Sequence, residues 1–104
     1  MTAAEMLKAQ LEQRGIYDVE LEYRFHAVRR WRFDLAIPRR GVGVEIEGGI
    51  FTQGRHVRGA GYKRDMQKYN EAARSGWRLL RFTPQDVKEG IAVRSVEDVL
   101  GVTG

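Results

Sequence analysis

Hydrophobic and polar residues alternate along three stretches of the N-terminal half of the chain. Residues 19–26, 31–37 and 42–47 carry apolar side chains at every second position. Because successive side chains of a strand point to opposite faces of a sheet, this period of two predicts three β-strands, each with one apolar face. A turn sequence, residues 38–41, separates the second strand from the third. The sequence therefore predicts an antiparallel meander.

The segments on either side of the meander have the spacing of helices. Thr2 and Glu5 form a capping box that opens an N-terminal helix, and apolar residues recur at helical spacing over residues 62–73. Residues 77–82 are apolar on both faces, which is typical of a buried strand reached by a crossover. Two short helices follow, the last of which is expected to begin at Ser95. The pattern predicts an α/β fold in which helices flank a mixed central sheet.

Length and composition limit the class of protein. A chain of 104 residues has room for one core, so we expect a single domain over residues 1–104. The absence of cysteine excludes disulfides, thiolate zinc sites and cysteine nucleophiles. The sequence has no membrane-length apolar run and no secretion-signal pattern at its start. We therefore expect a cytoplasmic protein that does not contact a membrane.

Positive charge is concentrated in two segments. The net charge is +4, and 14 of the 18 basic residues are arginine. Most lie in residues 24–40 and 55–68, each of which contains one acid. Guanidinium groups form paired hydrogen bonds with phosphate, so this clustering favours nucleic-acid binding, although a solvated arginine-rich surface has the same composition. The candidate contacts are Arg29, Arg30, Arg32, Arg55, His56, Arg58, Lys63 and Arg64.

Three acidic residues are predicted to share the polar face of the sheet. Asp34 lies on the second strand, and Glu45 and Glu47 lie on the third. Acids are poor strand formers, and three together repel one another, which a divalent cation with oxygen ligands would relieve. We therefore expect a metal site here, although a solvent-facing sheet surface has the same pattern.

Four aromatic residues lie on the predicted apolar faces: Trp31, Phe33, Trp77 and Phe82. Large aromatic side chains contribute much of the buried area of a small domain. We expect all four in the core rather than as stacking platforms for nucleobases.

The order of elements and the position of the acids resemble the PD-(D/E)XK nuclease superfamily. Asp34 on the second strand is followed eleven residues later by Glu45 on the third, and a basic helix follows a glycine-rich loop. The small size and the arginine-rich second strand are most similar to archaeal-type Holliday-junction resolvases and related phage nucleases. The resemblance implies a restriction-endonuclease-like αβββαβ core. It also implies a homodimer that cleaves four-way DNA junctions with Mg²⁺, or with Mn²⁺ in its place, in a bacterial, archaeal or phage-infected cell.

The resemblance also implies roles for individual residues. Asp34 and Glu45 match the motif acids that bind the metal, with Glu47 as a further ligand, and Glu5 matches an acid often found on the first helix. The superfamily usually has lysine at the position of Glu47. Lys68, on the second predicted helix, is a candidate replacement. The expected catalytic set is therefore Asp34, Glu45, Glu47, Lys68 and Glu5, although the capping box alone also explains Glu5.

Two other functions are compatible with these residues. One is a nicking or repair endonuclease that acts on other branched or mismatched DNA. The other is a catalytically inactive DNA-binding module, which the missing motif lysine favours.

Overall fold

The computed structural model describes residues 1–48 and 60–101, which form a four-stranded mixed sheet flanked by helices. The elements in chain order are α1 (Ala3–Gln13), β1 (Glu20–Arg24), β2 (Arg32–Ile37), a 3₁₀ turn (Pro38–Arg40), β3 (Val42–Ile46), α2 (Ala60–Arg74), β4 (Arg78–Phe82), α3 (Pro84–Lys88) and α4 (Ile91–Leu100). The sheet order is β1-β2-β3-β4; β3 and β4 are parallel, and the other neighbours are antiparallel. The predicted α/β class, with helices on a mixed sheet, is confirmed.

One helix start predicted from the sequence is confirmed and another is wrong. Helix α1 begins with the capping box: Glu5 N donates to the Thr2 hydroxyl, and Thr2 N donates to the Glu5 carboxylate at 2.7 Å. Helix α4 begins at Ile91, not at Ser95. The earlier start extends a stripe of apolar residues at helical spacing, which packs into the core. The buried members of this stripe are Ala92, Val93, Val96 and Leu100.

Each face of the sheet carries its own hydrophobic cluster. The main core joins strand residues such as Leu35 and Val44 to buried side chains of α1, α3 and α4. The second cluster, here called the aromatic cluster, is built on Phe33, Ala36 and Ala72, with Tyr23, Phe25, Trp77 and Leu79 packed against it. Because Ala72 belongs to α2, that helix covers the sheet face opposite α1. The sequence-based expectation that one face of the sheet is polar is therefore wrong, because both faces carry hydrophobic clusters.

Strands β1 and β2 both change face at the same level of the sheet. Leu21 packs against the main core and Tyr23 against the aromatic cluster, although strict alternation would place both on one side. Their partners Leu35 and Phe33 divide in the same way. Between the two pairs lies Glu22, whose φ of 51° puts the backbone in the left-handed region. This local departure from extended geometry explains why the period of two fails here.

Phe33 occupies the space left by a missing side chain. A Cβ at Gly43 would lie 2.5 Å from Phe33 Cδ2, so the ring packs directly on the β3 backbone. Phe25 stacks on Phe33 with ring centroids 4.2 Å apart, and Trp77 packs edge-on at 5.2 Å. Trp31 is partly exposed and belongs to neither cluster, so its predicted place in the core is wrong.

No helix in residues 1–48 and 60–101 combines the length and apolarity needed to cross a bilayer.

Candidate active site

Strands β2 and β3 place Asp34 and Glu45 side by side, just beyond the paired part of the two strands. The outermost residues in register are Leu35 and Val44. Past this pair, carboxylates take up the backbone donors: Glu45 Oε2 accepts from Asp34 N at 3.1 Å, and Asp34 Oδ2 accepts from Ile46 N at 2.7 Å. These reciprocal bonds satisfy two amide groups and fix the positions of both carboxylates.

Lys68 reaches one of these carboxylates, that of Glu45, from helix α2. Its Nζ donates to Glu45 Oε1 at 2.7 Å, and the Lys68 and Glu45 side chains are only 16% and 11% exposed. The Tyr69 hydroxyl lies 3.4 Å from the same oxygen. The structure therefore brings together Asp34, Glu45 and Lys68 from the expected catalytic set.

The surroundings of Glu45 disfavour its negative charge. Burial raises the pKa of the Glu45 carboxyl above its ordinary value, although the hydrogen bond and positive charge of Lys68 oppose this rise. The nearby charge of Asp34 adds to the increase. Removal from water and a neighbouring like charge are the two conditions that a bound divalent cation relieves.

Glu47 does not join this group. Its carboxylate pairs with Arg81 on β4, and this hydrogen bond raises the pKa of the Arg81 guanidinium. The guanidinium also lies over the Tyr69 ring, 4.5 Å from its centroid. In the part of the chain that the structure describes, no group of three His, Cys, Asp or Glu side chains is arranged to hold a metal ion. The three acids expected to converge thus divide into a pair, Asp34 and Glu45, and a separate residue, Glu47.

Glu5 is exposed and lies on the other side of the sheet from Lys68. Its carboxylate caps α1 through Thr2 N, and this bond lowers the pKa of the Glu5 carboxyl. Helix α1 packs on the main core, whereas α2 packs on the aromatic cluster. Within residues 1–48 and 60–101, Glu5 forms no metal-binding group with Asp34 and Glu45.

Two clefts bordered by basic residues adjoin Lys68 and α2. The first is lined by Arg30, Trp31, Arg32, Arg64, Asp65 and Lys68. The second, which also includes Trp31, is lined by Arg29, Trp31, Gln67, Asn70, Glu71 and Arg74. Five of the residues expected to contact nucleic acid are exposed: Arg29, Arg30, Arg32, Lys63 and Arg64. The other three expected contacts, Arg55, His56 and Arg58, lie outside the described residues.

The chemistry of Asp34 and Glu45 fits a Mg²⁺ ion. Mg²⁺ is commonly held by one or two carboxylates and retains water and phosphate oxygens as its other ligands. Each carboxylate offers about four lone-pair sites, so the bonds to Ile46 N, Asp34 N and Lys68 leave acceptor capacity on both residues.

Comparison with protein-family models, curated proteins and solved structures found no match for this chain. The interpretation of the site therefore depends on its own geometry.

Two residues at the site were not assigned from the sequence. Tyr69 belongs to the stripe of residues at helical spacing in α2, which the sequence pattern predicts to be apolar. Arg81 lies directly beside Glu45 in the parallel ladder between β3 and β4. That pairing follows only from the three-dimensional register, because the two residues are far apart in the chain.

Proposed function

We propose that the protein is a Mg²⁺-dependent DNA endonuclease that resolves four-way junctions. The observation that carries the proposal is the contact of Lys68 with Glu45, beside Asp34 on the adjacent strand. The order αβββαβ, with β4 parallel to β3 after helix α2, supports a restriction-endonuclease-like core.

In this proposal Asp34 and Glu45 would hold the ion, which when bound would supply an activated water and offset negative charge on the phosphate. The two carboxylates are held in fixed positions, because each accepts a hydrogen bond from a backbone amide. Lys68 donates a hydrogen bond to Glu45 and, in this proposal, orients the attacking water by donating a further hydrogen bond.

The arginines beside the site support phosphate binding. Arg30, Arg32 and Arg64 border the same cleft as Lys68, so phosphates that flank the cleaved bond would lie against guanidinium groups. A homodimer would present two such sites to the two strands that a junction resolvase cuts.

Single-turnover cleavage of a labelled four-way junction tests the proposal. We expect cleavage with Mg²⁺, none with EDTA, and slower cleavage of flaps and mismatched duplexes of the same sequence. Faster cleavage of flaps or mismatches would instead indicate a repair endonuclease. Binding without cleavage in either Mg²⁺ or Mn²⁺ would contradict a nuclease and indicate a DNA-binding module.

A further inference from the structure

Trp31 lines two clefts that helix α2 also borders. The first contains Lys68, Arg30, Arg32 and Arg64, together with Asp65. The second contains Arg29 and Arg74, together with Glu71 and the amide side chains Gln67 and Asn70. A partly exposed aromatic ring is thus shared by two depressions in which basic residues outnumber acidic ones, and one of them borders the candidate active site.

The ring of Trp31 packs against other aromatic side chains. His26 packs edge-on at 5.1 Å between centroids, and Phe25 lies nearly parallel, with 20° between the ring planes at 6.3 Å. Phe25 is itself stacked on the buried Phe33. The exposed Arg29 guanidinium lies 4.9 Å from the Trp31 centroid and covers the ring.

The loop that carries Trp31 is held by its own hydrogen bonds. His26 Nδ1 accepts from Val28 N and Arg29 N, at 3.1 and 2.9 Å. The Arg24 guanidinium donates to the carbonyl oxygens of Arg29 and Val28. Phe25 N donates to Trp31 O. Trp31 is therefore presented by a preorganised hairpin end, which lowers the entropic cost of using it for binding.

We propose that Trp31 is a stacking platform for a nucleobase of single-stranded DNA, with the phosphates on either side of that base lying in the two clefts. Aromatic rings alternating with positive charge are the common feature of surfaces that bind single strands. Without DNA, the planar Arg29 guanidinium covers one face of the Trp31 ring. In the proposed complex the guanidinium moves to a phosphate, and a nucleobase covers that face of the ring instead.

The inference rests on the proposed function and specifies its substrate. A base inside a duplex is already stacked on both sides and is not free to cover Trp31. Trp31 and Lys68 line the same cleft. The preferred substrate is therefore a four-way junction with unpaired nucleotides next to the cleaved bond, rather than a fully paired four-way junction.

Binding in EDTA tests the platform independently of cleavage. We compare a labelled oligothymidylate with a duplex of equal charge for wild type, Trp31→Ala, Trp31→Phe and Tyr17→Ala. Tyr17 is a matched control, because it is 72% exposed and lies on the segment between α1 and β1. Trp31→Ala should weaken single-strand binding by about fivefold or more, with less than about twofold change for the duplex. Trp31→Phe should retain most of the affinity, and Tyr17→Ala all of it.

Equal single-strand affinity in wild type and Trp31→Ala, or an equal loss for both DNAs, would overturn the inference. A second measurement covers the case in which Trp31→Ala does not fold. In a Trp77→Phe variant the emission comes from Trp31 alone, since the chain has two tryptophans. Saturable quenching by oligothymidylate, absent with an abasic strand of equal length, supports stacking; unchanged emission overturns it.

The two proposals fail separately. A protein that binds single strands through Trp31 but never cleaves DNA would contradict the nuclease function and keep the platform. A protein that cleaves junctions but binds single strands equally well without Trp31 would contradict the platform and keep the nuclease function.

Discussion

Lys68 Nζ lies 2.7 Å from Glu45 Oε1, so helix α2 supplies a cation to an acid of strand β3. The superfamily that the sequence resembles usually carries its lysine on the strand itself, at the position of Glu47. Here Glu47 is paired with Arg81, and the Arg81 guanidinium packs on the ring of Tyr69, next to Lys68. Glu47 therefore has its own cationic partner on β4, and the lysine that contacts Glu45 comes from helix α2.

Replacement of Lys68 by alanine should slow the chemical step. We expect the single-turnover cleavage rate to fall by at least about tenfold, because orienting and acid–base groups contribute roughly 10² to 10⁴ in rate. Junction affinity should change little. Lys88→Ala is the matched control, since Lys88 is exposed on α3. A normal rate combined with weaker, less salt-sensitive binding would identify Lys68 as a phosphate contact instead.

Replacement of Glu47 by glutamine should have only a small effect. The pair with Arg81 is partly exposed, so its loss should cost about 1 kcal/mol or less of unfolding free energy. We expect a cleavage rate within about tenfold of wild type, less than the loss of a group that acts on the reacting atoms. Arg81→Gln should give a similar loss, and the double variant no more, because the two form one pair. Abolished cleavage in Glu47→Gln would instead indicate a metal ligand.

Binding of DNA should weaken steeply as salt is added. The slope of log affinity against log salt should be about −0.9 for each phosphate neutralised on duplex DNA. Arg30→Ala and Arg32→Ala should each flatten this slope by about one unit, as both line the cleft beside Lys68. Arg39→Ala, in the exposed 3₁₀ turn at the other end of β2, should leave the slope unchanged. An unaltered slope in all three variants would place the DNA elsewhere.

Replacement of Gly43 by alanine should destabilise the fold. The added Cβ would lie 2.5 Å from the buried Phe33 ring, which is itself packed between Phe25 and Trp77. Overpacking of this kind typically costs about 1 to 3 kcal/mol. Gly48→Ala is the control, since a Cβ there meets no atom within 4 Å. Urea unfolding of both variants measures the difference, and equal stability would contradict the described packing of Phe33.

The sequence predicts where the helices and strands lie better than it predicts which face of the sheet each side chain occupies. The capping box at Thr2 and the alternation in β3 are local signals; the capping box forms, and Val42, Val44 and Ile46 of β3 all belong to or pack against the main core. The face change at Glu22 has no such signal, because it accompanies the packing of Phe33 on Gly43, and Glu22, Phe33 and Gly43 lie on three different strands. A strict period of two therefore places Phe33 in the wrong cluster.

The candidate site shows the same limit. The position of Asp34 and Glu45 on neighbouring strands follows from the spacing of the two strands along the chain. Whether Glu47 joins them depends on Arg81, which β4 brings beside β3 only after the crossover through α2. A partner supplied across a parallel ladder leaves no pattern in the sequence near Glu47.

Cleavage by an Asp34→Asn variant tests the central claim most directly. The substitution keeps the size of the side chain and the acceptor for Ile46 N, but it removes the charge that binds a cation. With Mg²⁺ and a labelled four-way junction, we expect no detectable cleavage and junction binding as tight as wild type or tighter. Asp98→Asn, an exposed acid on α4, should cleave normally. Near-normal Mg²⁺-dependent turnover by Asp34→Asn would contradict the proposed active site.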